Sequence, residues 1–241
     1  MTTPTIIYED GEALVINKPS GLPIDRPRRG GECLEDHLEA LKLGFQRAPM
    51  PVHRLDTDTS GCLLLARNPK ALRRFNKAFE DRLVTKTYLA VLAGHPPEPS
   101  GTVRLKLAKI SSEAKGWRMI AAKKGKEAVS HWELVQELGA HSVIRFTPET
   151  GRTHQLRIHA HKGLGAPLLG DPVYGSEAQR GKGATRTMLH ASTLIVPRAG
   201  KPAIEAHAPL PADFTRMGVN DLPPMAPPKD STNEPTGGGD G

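Results

Sequence analysis

Two stretches far apart in the chain concentrate side chains able to do chemistry. The first, His53-Arg54-Leu55-Asp56-Thr57-Asp58-Thr59-Ser60-Gly61, sets a carboxylate beside a cation in a turn and runs straight into the apolar Cys62-Leu63-Leu64-Leu65-Ala66. A carboxylate at the mouth of a buried strand is placed to act as a nucleophile or a general base. The same spacing also fits an ordinary polar turn, in which Asp56 or Asp58 accepts hydrogen bonds from nearby amides and Gly61 supplies a turn conformation. The second stretch, Thr150 to His161, crowds Arg152, Arg157, His154, His159, His161 and Gln155 into one turn and one expected helix over Thr153 to Lys162. On such a helix His154, Arg157 and His161 share one face and Leu156 and Ala160 another, while Gly151 and Thr153 fit a start whose free amides attract an anion.

Three histidines suggest zinc, but Arg157 would sit amid the metal charge, and the chain has no Cys-x-x-Cys or His-Glu-x-x-His pattern. Its Gly-x-Gly instances do not lie in a strand-to-helix phosphate loop, and Ser60 lacks the Gly-x-Ser-x-Gly elbow of a hydrolase. No metal and no nucleotide cofactor is therefore expected, which leaves Asp56 as the best nucleophile or base. Lysine and arginine total 33 against 26 acidic residues, a net charge of +7 that favours an anionic partner, with nucleic acid ahead of a membrane surface. With only 4% aromatic residues, a surface of many stacking rings is not expected, so binding rests on charge and a few pockets. Met1-Thr2-Thr3-Pro4 lacks the character of a signal peptide and no apolar run approaches the roughly 20 residues of a membrane span, so a soluble, cytoplasmic protein with no membrane partner is expected. Cys33 and Cys62 are too few for a disulfide framework, and neither is given a catalytic role.

The elements that must position these residues are mostly short strands. Ile6 to Tyr8 and Ala13 to Asn17, separated by Asp10-Gly11, read as a hairpin. Leu34, Leu38 and Leu41 suggest a short helix over Cys33 to Leu43. Asn68-Pro69 starts a better one, with Asn as cap, Pro at the first helical position, and Leu72, Phe75, Phe79 and Leu83 on one stripe. Further strands are expected over Thr87 to Leu92, Glu127 to Leu138, Ser142 to Phe146 and Leu189 to Val196, whereas the lysine-rich region before Lys126 resists assignment. Together these give an α+β fold, a mixed and mainly antiparallel sheet with flanking helices, as one domain over residues 1–220. Residues 221–241, dominated by Pro, Gly and small polar residues, read as a disordered tail.

Taken together the motifs resemble the RluA-type RNA pseudouridine synthases. Asn17-Lys18-Pro19-Ser20-Gly21-Leu22 is similar to the family's first motif, His53-Arg54-Leu55-Asp56 through Gly61 to its catalytic loop, and Lys86-Thr87-Tyr88-Leu89-Ala90 to its Lys-x-Tyr motif. Gly151-Arg152-Thr153-His154-Gln155-Leu156-Arg157-Ile158-His159 resembles its third large motif, followed by Leu169-Gly170-Asp171 and Tyr174-Gly175. The resemblance implies isomerisation of a uridine in ribosomal RNA, transfer RNA or both, without cofactor, with Asp56 as the essential aspartate, Arg157 as an ion-pair partner that keeps it charged and oriented, and Tyr88 as an active-site ring and candidate for taking the C5 proton. A uridine in folded RNA must leave its stack to be reached, so Arg54 is the candidate to brace the gap and Leu156 to wall the uracil pocket. His53, Arg152, His154 and Gln155 are expected to orient the loop or meet phosphate. Two departures from the family stand out. Leu164-Gly165-Ala166-Pro167 lies where many relatives carry a histidine, and no S4 RNA-binding module is expected ahead of Ile6. Substrate binding then falls to Arg26 to Gly31 and to Lys106 to Lys126 on charge, in a compact monomer.

Overall fold

The computed structural model describes residues 4–112, 116–175 and 184–219, and the tail assigned to residues 221–241 lies outside them. Within the described residues β1 (Thr5–Glu9), β2 (Ala13–Lys18), β3 (Met50–Pro51), β4 (Ser60–Ala66), β5 (Thr85–Leu92), β6 (Ser100–Ser112), β7 (Gly116–Ala121), β8 (Lys126–Leu138), β9 (His141–Pro148), β10 (Leu189–Val196) and β11 (Ile204–His207) belong to one sheet. Its order is β1-β2-β4-β10-β5-β9-β8-β6-β7, with β11 beside β10 and β3 beside β4. Every pairing is antiparallel except β4 with β10, where His190 lies opposite Ser60 and Ala191 opposite Gly61. The fold is thus α+β, with helices α1 (Pro69–Glu80), α2 (Gln155–Ile158) and α3 (Ala212–Arg216) around a mainly antiparallel sheet.

The unbroken apolar runs of β2 and β4 follow from burial on both faces. Ala13, Val15, Cys62 and Leu64 pack with Ala71 and Phe75 of α1, while Leu14, Ile16, Leu63 and Leu65 pack on the other side with Leu34 and Leu41. Helix α1 starts as expected, the Asn68 side chain accepting from the Ala71 amide at 2.8 Å ahead of Pro69. It ends at Glu80, and Arg82 with φ +59° turns the chain, so Leu83 leaves the expected stripe and stands exposed.

Two expected helices are corrected. Cys33 to Leu43 forms two 3-10 turns, Leu34–His37 and Ala40–Lys42, held by i to i+3 bonds such as Leu38 N to Glu35 O at 3.3 Å. Leu43 and Gly44 in left-handed conformations then end the run. Thr153 to Lys162 gives only the single turn of α2 followed by a π-helical turn, His159–Gly163. His154 sits ahead of α2 with φ +53°, so it does not share a regular helix face with Arg157 and His161. The wide turn brings Gly163 against β6, where an added Cβ would meet Val103 Cγ1 at 2.5 Å. The unassigned lysine-rich region is a long hairpin, β6 with β7, leading into β8.

Candidate active site

The loop between β3 and β4 is held by its carbonyl oxygens. The Asp56 carbonyl accepts from the Thr59 amide at 3.0 Å, closing a turn, and that of Thr57 accepts from the Gly21 amide at 2.9 Å and Lys18 Nζ at 3.0 Å. The Asp58 carbonyl accepts from Ser20 Oγ at 2.8 Å and Arg186 Nη1 at 3.1 Å. Lys18 is fully buried, and its other two N–H groups reach Pro19 O and Leu22 O, both at 2.8 Å. Burial pushes its ammonium down to about 7, against the pull of the Asp58 and Asp56 charges. Arg186 is fixed in turn by Asp213, at 2.6 and 3.1 Å. Gly61 is required where the loop becomes β4. Its φ is +109°, and a Cβ there would lie 2.2 Å from Ala191 O on the parallel neighbour β10.

With its backbone so tied, Asp56 presents its carboxylate to the second motif. Arg157 Nη1 lies 3.5 Å from Asp56 Oδ2, and His154 Nε2 lies 3.9 Å from the same oxygen. The stronger partner of Arg157 is Asp171, which accepts from Nε at 2.7 Å and from Nη2 at 2.8 Å. Asp171 Oδ1 also accepts the amides of Val173 and Tyr174, at 2.8 and 3.0 Å. Burial opposes the Asp171 charge, but the Arg157 guanidinium and these amides outweigh it and hold the carboxyl below the usual carboxylate range. The Tyr174 ring lies 5.2 Å from the guanidinium carbon, and its hydroxyl lies 3.0 Å from His154 Nδ1. One side of Arg157 is thereby fixed, leaving Nη1 for Asp56.

The two motifs line one cavity of about 320 Å³, and every candidate side chain except Arg157 borders it: Asp56, Tyr88, Arg54, His53, Leu156, Arg152, His154 and Gln155. They do so in different ways. Asp56 is partly open at 23% side-chain exposure, and Arg54 is open at 70%, with Asp25 at 3.8 Å. His53 Nε2 accepts from the Leu64 amide at 3.0 Å and its ring stacks on Phe79, with centroids 4.8 Å apart. Burial and the Lys86 charge push its pKa down to about 3, so it is a neutral strut. Gln155 is fully used, its oxygen accepting from Thr150 Oγ1 and the Arg152 amide and its nitrogen donating to Val129 O and Ser130 Oγ. Arg152 donates from Nε to Glu127 O at 3.1 Å. Burial, with the Asp56 charge adding, raises the Tyr88 phenol's pKa. That favours a neutral hydroxyl that can donate a hydrogen bond. Leu156 packs into the core beneath, with Ile144 and Phe146.

Asp171, Tyr174, Lys18 and Arg186 hold the site together without having drawn attention as candidates. The first three lie in segments that matched family motifs, but no spacing rule couples Asp171 to Arg157 or Lys18 to Thr57. Arg186 carries no sequence signal. Among the described residues no group of three or more His, Cys, Asp or Glu side chains could hold a metal ion.

A cavity with a tethered carboxylate facing an arginine agrees with what known proteins show. Residues 12–162 match the family described as RNA pseudouridylate synthase. An uncharacterised RNA pseudouridine synthase of Zymomonas mobilis is 51% identical over 213 residues, covering 88% of this chain and 96% of that protein. The ribosomal large subunit pseudouridine synthase C of Rickettsia bellii is 37% identical over 223 residues, covering 90% and 72%. Among solved structures, human RNA pseudouridylate synthase domain containing 1 superposes with a TM-score of 0.72 at 31% identity, covering 86% of this chain and 84% of that one. The chain belongs to the RluA-type RNA pseudouridine synthases, isomerases that act on RNA.

Proposed function

We propose that the protein isomerises a uridine of ribosomal RNA, taking the base out of its stack and into the cavity beside Asp56. The observation that carries the reading is that Asp56, which borders the cavity, meets Arg157 from 101 residues further along the chain. In the reaction the N1–C1′ bond breaks, a C5–C1′ bond forms, the C5 proton leaves and N1 ends protonated. Asp56 acts on the sugar, by attack or by proton removal, while the uracil turns within the cavity. Arg157, held by Asp171, steadies the carboxylate. Tyr88 and Leu156 wall the ring, with the Tyr88 phenol as a neutral hydrogen-bond donor. Arg54, exposed at the rim, fills the gap left in the RNA. His53 and Gln155 brace the cavity wall through their backbone contacts, and Arg152 and His154 complete the side that faces the RNA. Ribosomal RNA is favoured over transfer RNA by the Rickettsia relative, whose name places its action on the large subunit.

Pseudouridine mapping of ribosomal and transfer RNA from cells with and without the gene tests the reading. One ribosomal position should lose its modification and regain it on complementation with the wild-type gene, and not with Asp56→Ala, whose product should still bind RNA. Turnover by Asp56→Ala would sink the aspartate assignment, and a lost transfer-RNA site would replace the substrate.

A further inference from the structure

The net charge of the chain is concentrated in one stretch of sequence. Residues 100–126 hold eight lysines and arginines against a single acidic residue, which equals the +7 of the whole chain, and the remainder balances at 25 of each sign. The described residues of this segment are β6, β7 and the entry to β8, and they lean on the active site. Tyr174 Oη lies 3.2 Å from the Met119 amide and 3.1 Å from the Met119 carbonyl, and the same hydroxyl meets His154. Two residues from Met119, Trp117 is 48% exposed. Its ring lies 5.1 Å from that of His154, tilted by 33°, and Lys109 Nζ sits 5.0 Å from its centroid. The buried contacts between the hairpin and its surroundings include Met119 against a core cluster and Val103 against Gly163, while the Trp117 ring stands half exposed.

From this juxtaposition we propose that Trp117 is a stacking platform for a nucleobase of the substrate RNA next to the target uridine, with the hairpin's basic side chains on the flanking phosphates. The inference rests on the proposed RNA isomerisation and adds what the substrate must offer: an unpaired base beside the uridine. An aromatic face accepts any base, so the platform grips without reading sequence. A lone exposed indole among so many cations matches the division of labour in single-strand binding, in which charge follows the backbone and a ring holds a base. It also places His154, and through it the rim of the cavity, directly beside the held base.

Total RNA from a strain deleted for the gene serves as the probe. The other tryptophan, Trp132, is buried in the cluster that holds Leu156, so the part of a fluorescence change on adding this RNA that Trp117→Leu lacks reports Trp117. Wild type should be quenched. Trp117→Leu should lose the quench and raise KM about tenfold, from the weight of one stacked base, and Trp117→Phe should restore KM. An unquenched wild type, or a Trp117→Leu enzyme with normal KM, overturns the platform, as does a fall in kcat alone, which would make Trp117 a prop for His154. If Trp117→Leu does not fold, the wild-type quench and the KM of Trp117→Phe decide. Failure of the wild-type enzyme to restore pseudouridine in this RNA would instead overturn the proposed function.

Discussion

The Asp56 loop and the β6–β7 hairpin meet at His154 and are built in opposite ways. The loop is fixed from below by side chains on its carbonyls, the buried Lys18 on Thr57 and the partly buried Arg186 on Asp58, and its Asp56 borders the cavity. The hairpin carries the excess charge of the chain outside the core and is fastened to the site through Tyr174 and the packing of Val103 on Gly163. Rigidity and charge are therefore assigned to different pieces of backbone. Cations clustered around a carboxylate would compete for it; with the excess charge on the hairpin, the partners of Asp56 are Arg157 and His154.

Substitutions that should affect one region and spare the other can break this contrast. The largest effect is expected at the Arg157–Asp171 pair. Either Arg157→Ala or Asp171→Asn breaks the buried ion pair, at a cost of about 3–5 kcal/mol in stability by denaturant titration, with activity abolished even where the protein stays folded. A double variant no less stable than the singles would establish the pair as a unit, and full activity in Asp171→Asn would remove Asp171 as the group that positions Arg157.

The same pair sets an acid limit. The Asp171 carboxyl titrates lower in the folded chain than its unfolded value of about 3.9, so its stabilisation is complete above that pH and disappears as pH falls below it toward the folded value. Thermal melts of wild type should drop steeply below about pH 4, and those of Asp171→Asn less so; parallel curves would contradict the shift. In the hairpin the expected effect is smaller and of another kind. Replacing Lys106, Lys109 and Arg118 by alanine should flatten the dependence of log affinity on log salt by about 0.7–0.9 for each phosphate no longer neutralised, raising KM far more than it lowers kcat. An unchanged salt slope would place RNA binding elsewhere. The smallest effect is expected at Arg54, whose exposed pairing with Asp25 contributes at most about 1 kcal/mol to folding. Arg54→Ala should melt like wild type and lose turnover on folded RNA more than on an unstructured strand, and equal losses would argue against a role in the gap.

Local chemistry made much of this legible in advance. The Asp-Gly hairpin, the Asn68-Pro69 helix start and the alternating strands β5, β8, β9 and β10 each carry their signal within a few residues, and the structure has them there. The two failed helices had the right apolar spacing, but the first is wound as 3-10 turns closed by left-handed Leu43, and the second starts only after left-handed His154 and widens into a π-helical turn at His159, which apolar spacing does not reveal. The strands of the lysine-rich hairpin escaped because their partner is mostly each other and β8, with one flank in solvent, so burial leaves a weak pattern. In the site, Asp56 and Arg157 were visible as motif residues, whereas the tie of Asp171 to Arg157 is a tertiary pairing that no window of sequence displays. The case of Gln155 is the reverse: a polar residue in a conspicuous motif, it serves the backbone of Val129 and the side chain of Ser130.

The parallel pairing of β4 with β10 sets a condition on when activity can arise. It joins Ser60 to His190, whose side chains also bond at 2.9 Å, so the loop bearing Asp56 is clamped only after most of the chain has been made. Pairings so distant in sequence close late and slowly in folding. A ribosome-bound or truncated chain that ends before β10 holds Asp56, Arg157 and the β6–β7 hairpin but lacks this clamp on the Asp56 loop.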